Sequence, residues 1–229
     1  MIRAVIFDLD GTAGYTMPSL QKGMNEMLAG FGYPTHTAEE LLQWVSLSPR
    51  EWVSGALPEG LSPEQFERCF AEYNRCYEKY CLETEYYPGF GDLISRLKGE
   101  GIAAAMLSNK LHRQVVALAR KLSGVPADEG DPGTFGPVGD YACAWGVSER
   151  YPHKPDPTSA LAMAEMLGVP PGECAFVGDS EVDVYTARNA HMVQISVTWG
   201  YRSRVFHEAL GVENLADTPE ELYTLLHRL

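Results

Sequence analysis

Ala4-Val5-Ile6-Phe7-Asp8-Leu9-Asp10-Gly11-Thr12 is the stretch from which the fold is read. Its four leading apolar residues show no alternation. They predict a strand buried on both faces, hence parallel, that delivers Asp8 and Asp10 to its carboxyl end. That edge is where open α/β sheets bind ligands. Gly11 permits a sharp turn straight after the strand, and Thr12 adds a hydroxyl just beyond it. Burying an unpaired carboxylate is costly, so two of them two positions apart call for a partner, which a divalent cation would supply. An ordinary strand-to-loop exit, where acids collect at turns, is the other reading of this stretch. The rest of the chain decides between them.

The chain has 229 residues, with 18 basic and 31 acidic side chains and a net charge of -13. That length suits one domain of moderate size, or one domain carrying a smaller insert. The acidic surplus disfavours nucleic acid and an anionic membrane surface as partners. A small anionic substrate stays open, because a metal and one lysine make a local site positive on an acidic protein. There is no basic leader before an apolar core and no apolar run of membrane-spanning length, so a cytoplasmic protein is expected. Cys69, Cys76, Cys81, Cys143 and Cys174 form no closely spaced pair, which favours free or buried thiols over a disulfide framework or zinc site.

After Thr12 the pattern turns helical. Pro18 opens a first helix with Leu20, Met24, Met27 and Leu28 inward, and Thr37 with Glu40 forms a capping box for a second, through Leu41, Leu42 and Val45. Ser48-Pro49-Arg50-Glu51 starts a third helix, which Pro58 stops. Ser62-Pro63-Glu64-Gln65 opens the longest, to about Tyr80, with Phe66, Phe70, Tyr73 and Tyr77 along one side as the core of a helical insert. Arg50 is poorly placed for the helix dipole, so it is either a solvated arginine or a contact for an anionic ligand.

Tyr87-Pro88-Gly89 marks the return to the main pattern. A strand over 102–107 ends in Ser108-Asn109-Lys110, and a third over 140–145 is followed by His153-Lys154-Pro155-Asp156-Pro157. A fourth over 174–177 ends in Gly178-Asp179-Ser180-Glu181-Val182-Asp183, where Asp179 and Asp183, one helical turn apart, face one point. A fifth over 192–197 leads to Trp199-Gly200-Tyr201-Arg202, and Thr218-Pro219 starts the last helix. Residues 123–138 hold four glycines, three prolines and three acids without a period. They are expected to form a mobile or partner-contacting loop on the edge away from the carboxylates. No repeat, glycine-rich nucleotide fingerprint or Walker loop is present. Acids, one hydroxyl and one lysine at a common edge are what phosphoryl transfer through a carboxylate nucleophile requires, with magnesium as the oxygen-loving cation.

In order and spacing, Asp8-Leu9-Asp10-Gly11-Thr12, Ser108-Asn109, Lys154-Pro155 and Gly178-Asp179 with Asp183 resemble the four motifs of the haloacid dehalogenase superfamily of phosphatases, over nearly the whole chain. Leu107-Ser108-Asn109-Lys110, the Lys154 to Pro157 run and Trp199-Gly200-Tyr201-Arg202 are similar to the phosphoglycolate phosphatase-like subgroup. The resemblance implies a Rossmann-like, three-layer α/β/α core of residues 1–15 and 87–229, with a parallel sheet of strand order 3-2-1-4-5, and a small helical-bundle cap over 16–86.

It also implies roles. Asp8 is the nucleophile, Asp10 the general acid and base, and Lys154 the cation that offsets charge; Thr12, Ser108, Asn109, Lys154 and Arg50 bind substrate or phosphate. Magnesium falls to Asp8, the backbone carbonyl of Asp10, Asp179 and Asp183. The implied activity is magnesium-dependent hydrolysis of a small phosphate monoester through an aspartyl phosphate, with 2-phosphoglycolate as leading substrate. The expected partner is a small phosphorylated metabolite, with no nucleic acid and no membrane, and the chain acts as a monomer or homodimer. Alternatives are a pyrophosphatase, nucleotidase or phosphosugar mutase of the same superfamily and, from another class, an inactive binding or regulatory relative. Two departures stand out: Tyr15 replaces the subgroup's usual acid at the hinge into the cap, and segment 123–138 is unusually long.

Overall fold

Strand β1 (Ala4–Phe7) is the middle of the molecule, and all four of its side chains are buried. Val5 and Phe7 enter one apolar cluster, whereas Ala4 and Ile6 enter another on the opposite face of the sheet. Two buried faces explain why the run does not alternate. A computed structural model of the protein describes residues 1–45 and 47–229.

In chain order, β1 is followed by β2 (Gly14–Tyr15), then helices α1 (Met17–Gly30), α2 (Ala38–Leu41), α3 (Pro49–Ala56) and α4 (Pro63–Tyr80). Next come β3 (Glu85–Tyr86), α5 (Phe90–Gly99), β4 (Ala103–Leu111), α6 (His112–Leu122) and β5 (Cys143–Val147). The chain finishes with α7 (Thr158–Leu167), β6 (Cys174–Gly178), α8 (Glu181–Asn189), β7 (Val193–Val197), α9 (Arg204–Ala209), β8 (Leu215–Ala216) and α10 (Pro219–Leu226). The main sheet has the order β5-β4-β1-β6-β7-β8 and its pairings are all parallel. This is the expected 3-2-1-4-5 order with a short sixth strand added at one edge. The order reverses at β1, between β4 and β6, so the carboxyl ends of those three strands surround a ligand crevice.

Helices α2, α3 and α4 start where their caps predict, and α1 has proline in its first turn but no side-chain cap. Thr37, Ser48 and Ser62 each complete a capping box, with proline in the first turn of α3 and α4. The second helix is shorter than expected and ends at Leu41. Side chains of these helices form a third apolar cluster, centred on Met24, Met27, Leu28, Trp52, Tyr73 and Tyr77. The chain crosses to and from this bundle through the antiparallel β2–β3 ribbon, where Tyr15 is 53% exposed and packs edge-on against Tyr87. The ribbon is two residues per strand, too short to announce itself by periodicity.

Two expectations are corrected. The third strand begins at Cys143, because Val138 and Tyr141 exchange backbone hydrogen bonds of 2.9 and 3.0 Å in a tight turn that uses up residues 138–141 first. Segment 123–138 is also tied down rather than loose. Arg120 donates to the carbonyl of Asp131 at 2.7 Å, and the Trp145 indole donates to that of Phe135 at 2.8 Å. The Phe135 ring stacks on His112 at 4.1 Å and meets Trp145 and Tyr151 edge-on, which brings the segment back towards the carboxyl end of β5. All five cysteines are buried and unpaired, as expected. Among the described residues no helix is long and apolar enough to cross a membrane.

Candidate active site

β1 ends at Phe7, and the Asp8 N–H still donates to the Val177 carbonyl of the neighbouring strand at 2.8 Å. The carboxylate is thereby held at the sheet edge. The chain then turns back through Leu9 to Gly14, whose N–H donates to Leu9 at 2.8 Å. Gly11 makes the turn possible with φ of +80°, and a Cβ there would stand 2.2 Å from Asp179 Oδ2. Only glycine fits both requirements.

Lys154 crosses the crevice to Asp8. Its ammonium lies 2.6 Å from Asp8 Oδ1 and 2.6 Å from Asp183 Oδ1, all three groups being buried. Asn109 fixes the backbone from which Lys154 projects: its amide accepts from Lys154 N–H at 2.7 Å and donates to the Lys154 carbonyl at 3.1 Å. The Lys154–Pro155 peptide is cis. Asp183 does two jobs from the first turn of α8. Oδ2 accepts from the N–H and hydroxyl of Ser180 at 3.1 and 2.7 Å, which caps the helix, and Oδ1 takes Lys154. Asp179 is held by the Thr12 hydroxyl at 3.1 Å and the Tyr201 N–H at 2.6 Å.

Asp10 has a separate set of partners. Thr16 donates to Oδ1 at 2.5 Å, Ser108 donates to Oδ2 at 3.3 Å, and the Lys110 ammonium is 2.9 Å from Oδ1. The Thr16 hydroxyl also meets that of Tyr201 at 2.7 Å. Asp8, Asp10, Ser108, Asn109 and Lys154 therefore line one cleft between the sheet edge and the helical bundle, enclosing about 60 Å³.

The electrostatics follow from burial. Burial first, and then the neighbouring Asp183, Asp179 and Asp10, push the Asp8 carboxyl well above its ordinary value against the pull of Lys154. Burial and Asp183 push Asp179 up to about 7, opposed by the Tyr201 N–H and Thr12 hydroxyl. Burial would lower the Lys154 ammonium, but Asp183 and Asp8 outweigh it and hold it above its ordinary value. Asp8, Asp179 and Asp183 offer oxygens within 4.8 Å of one another. Three carboxylates against one ammonium leave two negative charges, the charge that one divalent cation neutralises. An all-oxygen donor set fits magnesium.

A family model for haloacid dehalogenase-like hydrolases matches residues 2–191. The chain belongs to the haloacid dehalogenase-like hydrolases. This hydrolase is 33% identical over 224 residues to phosphoglycolate phosphatase 1 of Pseudomonas aeruginosa, covering 94% of the chain and 78% of that protein. It is 29% identical over 230 residues to a phosphoglycolate phosphatase of Chromobacterium violaceum, covering 98% of the chain and 96% of that protein. Its fold is similar to the crystal structure of a phosphoglycolate phosphatase candidate from Lactobacillus delbrueckii subsp. bulgaricus, with a TM-score of 0.85, 28% identity and 98% of each chain covered. It is an enzyme, a phosphoric monoester hydrolase.

Two of the expected substrate contacts in this hydrolase lie elsewhere. Thr12 is fully buried and its hydroxyl is turned to Asp179, so it steadies a carboxylate and does not face the cleft. Arg50 is not among the residues that line the cleft: its guanidinium pairs with Glu67 and lies over the Phe66 and Phe70 rings at 4.8 and 5.1 Å. A neighbouring carboxylate and two ring faces on α4 satisfy it better than the dipole at its own helix start. In turn Lys110, Thr16 and Tyr201 gather around Asp10, although their spacing in the chain gave them no assigned role. Lys110 was visible beside Ser108-Asn109, and its position one residue beyond them was the available signal. The aromatic stripe of α4 is divided: Tyr77 is core, with its ring 4.7 Å from the Lys110 ammonium, while Tyr73 also lines the cleft.

Proposed function

We propose that this protein is a magnesium-dependent phosphatase that hydrolyses 2-phosphoglycolate through an aspartyl phosphate on Asp8. The observation that carries the proposal is the pairing of two carboxylates with different surroundings in one cleft: Asp8 is tied to Lys154, and Asp10 is held apart by Thr16, Ser108 and Lys110. Such a division separates a nucleophile from an acid and base.

In the first step the Asp8 oxygen not held by Lys154 bonds to phosphorus as the ester P–O bond breaks, and Asp10 gives its proton to the departing oxygen, releasing the alcohol. In the second, Asp10 takes a proton from water as the water oxygen bonds to phosphorus. The bond between phosphorus and Asp8 breaks, phosphate leaves and the carboxylate is restored. Lys154 offsets charge on the nucleophile, Ser108 holds a phosphoryl oxygen, and Asn109 keeps Lys154 in place. Asp8, Asp179, Asp183 and the backbone carbonyl of Asp10 would hold magnesium, which when bound neutralises the charge gathered on phosphate.

Helices over residues 16–86 act as the cap and the remainder as the hydrolase core. The separate apolar cluster of the bundle and its attachment through the two-stranded β2–β3 ribbon support that division. Relatives named phosphoglycolate phosphatase support the choice of ester, and five buried free thiols suit the reducing cytoplasm.

Phosphate release from a panel of small phosphorylated metabolites, with magnesium and with chelator, tests the reading. Wild type is expected to prefer 2-phosphoglycolate and to need the cation, and Asp8→Asn to lose at least about 10³-fold in kcat. Turnover that survives Asp8→Asn would remove the aspartyl phosphate from the mechanism.

A further inference from the structure

Tyr201 touches both halves of the site, Asp179 with its main chain and the surroundings of Asp10 with its side chain. The loop after β7 that carries it lies directly on the turn following β1. The Trp199 indole donates to the Thr12 carbonyl at 3.0 Å, and a Cβ on Gly200 would stand 2.3 Å from the Gly11 carbonyl oxygen and 2.4 Å from the Asp179 side chain. Tyr201 then donates its backbone N–H to Asp179 Oδ2 at 2.6 Å, so its main chain is fixed at the sheet edge. From that base the ring packs on the apolar cluster of the helical bundle, and the phenol meets the hydroxyl of Thr16, the residue before α1, at 2.7 Å.

The direction of these hydrogen bonds follows from the number of protons. Thr16 is fully buried, and its single hydroxyl proton goes to Asp10 Oδ1 at 2.5 Å. A threonine oxygen that has committed its proton can only accept, so the Tyr201 phenol donates to it. Two bonds of one polarity therefore run from Tyr201 through Thr16 to Asp10. The Lys110 ammonium is a second donor to the same carboxylate oxygen, at 2.9 Å. Oδ2 has the Ser108 hydroxyl at 3.3 Å, long for a bond between a hydroxyl and a carboxylate. A proton carried by Asp10 belongs on this less occupied oxygen.

We infer that Tyr201 is a positioning residue for Asp10: through Thr16 it pins Oδ1 and leaves Oδ2 as the oxygen that gives its proton to the departing alcohol and takes one back from water. The inference rests on the phosphatase reading for the role of Asp10. Tyr201 acts at one remove from the ester, since Asp10 lines the cleft whereas Tyr201 and Thr16 are not among the residues that do. Without the phenol, the Thr16 oxygen loses its donor and its hydroxyl can turn away from Asp10. The cost falls on proton transfer, because the carboxyl group then has no single direction in the cleft.

Tyr201→Phe removes the phenol while keeping the ring and the backbone N–H on Asp179. Its kcat/KM, which covers the step in which Asp10 acts as acid, is compared with that of wild type for two kinds of substrate in magnesium. One is the alkyl ester that wild type turns over best in the metabolite panel, whose leaving oxygen needs a proton. The other is the faster of acetyl phosphate and p-nitrophenyl phosphate, whose leaving groups depart as stable anions. Tyr201→Phe is expected to lower kcat/KM for the alkyl ester by about tenfold or more, part of the ~10²–10⁴-fold that a general acid supplies, and for the activated substrate by less than about twofold. Thr16→Val is expected to show the same selective loss and Thr16→Ser to rescue it. Adding Tyr201→Phe to Thr16→Val is expected to cost less than about twofold further, because the phenol acts only through that hydroxyl. The magnesium concentration for half-maximal activity is expected to stay unchanged in Tyr201→Phe, and thermal melts establish that each variant is folded. No loss on the alkyl ester, equal losses on both substrates, additive losses in the double variant, or a raised magnesium requirement would overturn the positioning role while ester turnover by wild type still upheld the phosphatase reading. No turnover of any ester by wild type would overturn both.

Discussion

Asp8 and Asp10 leave the same strand end two residues apart, yet one is enclosed with Lys154, Asp179 and Asp183 while the other takes Thr16, Ser108 and Lys110. The separation comes from the turn at Gly11 and from where β4 and β6 end on either side of β1. Thr12 shows how fine the control is, since one buried hydroxyl aims Asp179 from across the switch point. Thr12→Val keeps the shape and removes the donor. It is expected to lower stability by about 1 kcal/mol in urea unfolding and to raise the magnesium concentration needed for half-maximal activity. An unchanged magnesium requirement would show that Asp179 does not need Thr12.

At the scale of elements, the caps and the both-faces-buried strands were legible because each is written within a few consecutive residues. Thr37, Ser48 and Ser62 all cap as their local sequence predicts. Segment 123–138 is the contrary case. Its glycines and prolines carry no period, and the contacts that order it lie on His112, Trp145 and Tyr151, outside the segment itself. Phe135→Ala removes those ring contacts. The expected outcome is a loss of about 2 kcal/mol, below the cost for a fully buried Phe, together with faster proteolytic cleavage within 123–138. Limited proteolysis followed by mass mapping reads this out, and cleavage no faster than in wild type would mean that Phe135 does not hold the segment.

The whole molecule carries a net charge of -13 and concentrates four of its carboxylates, Asp8, Asp10, Asp179 and Asp183, around one crevice. Asp179 titrates near 3.8 ordinarily and near 7 in the folded, cation-free protein, because burial and then Asp183 disfavour its charge. Asp8 is raised in the same direction by burial and its neighbouring acids. Across the window from about pH 4 to 7 the Asp179 carboxyl binds more protons in the folded state than in the unfolded chain, so its contribution to stability falls as pH rises, opposed by His112 and His207, which burial lowers. In chelator the melting temperature is expected to decline across that window. Magnesium is expected to raise it most at the upper end, where the carboxylates are charged and bind the ion. A melting temperature that climbed through the window in chelator would contradict the carboxylate cluster as the dominant linkage.

The sequence by itself determined the parallel sheet around β1, the strand ends that carry Asp8, Asp10, Ser108, Lys154, Asp179 and Asp183, and the helical insert between β2 and β3. Periodicity, caps and strand-end acids are local signals, and the βαβ order places every such strand end on one edge. Only the tertiary structure decided that Thr12 serves Asp179, that Arg50 turns to Glu67, and that Trp52 of the helical bundle lines the same cleft as Asp8 and Lys154. Those outcomes depend on how the helical bundle seats on the sheet. Packing between elements distant in the chain selects each side chain's partner, and no pattern within a single element records that choice.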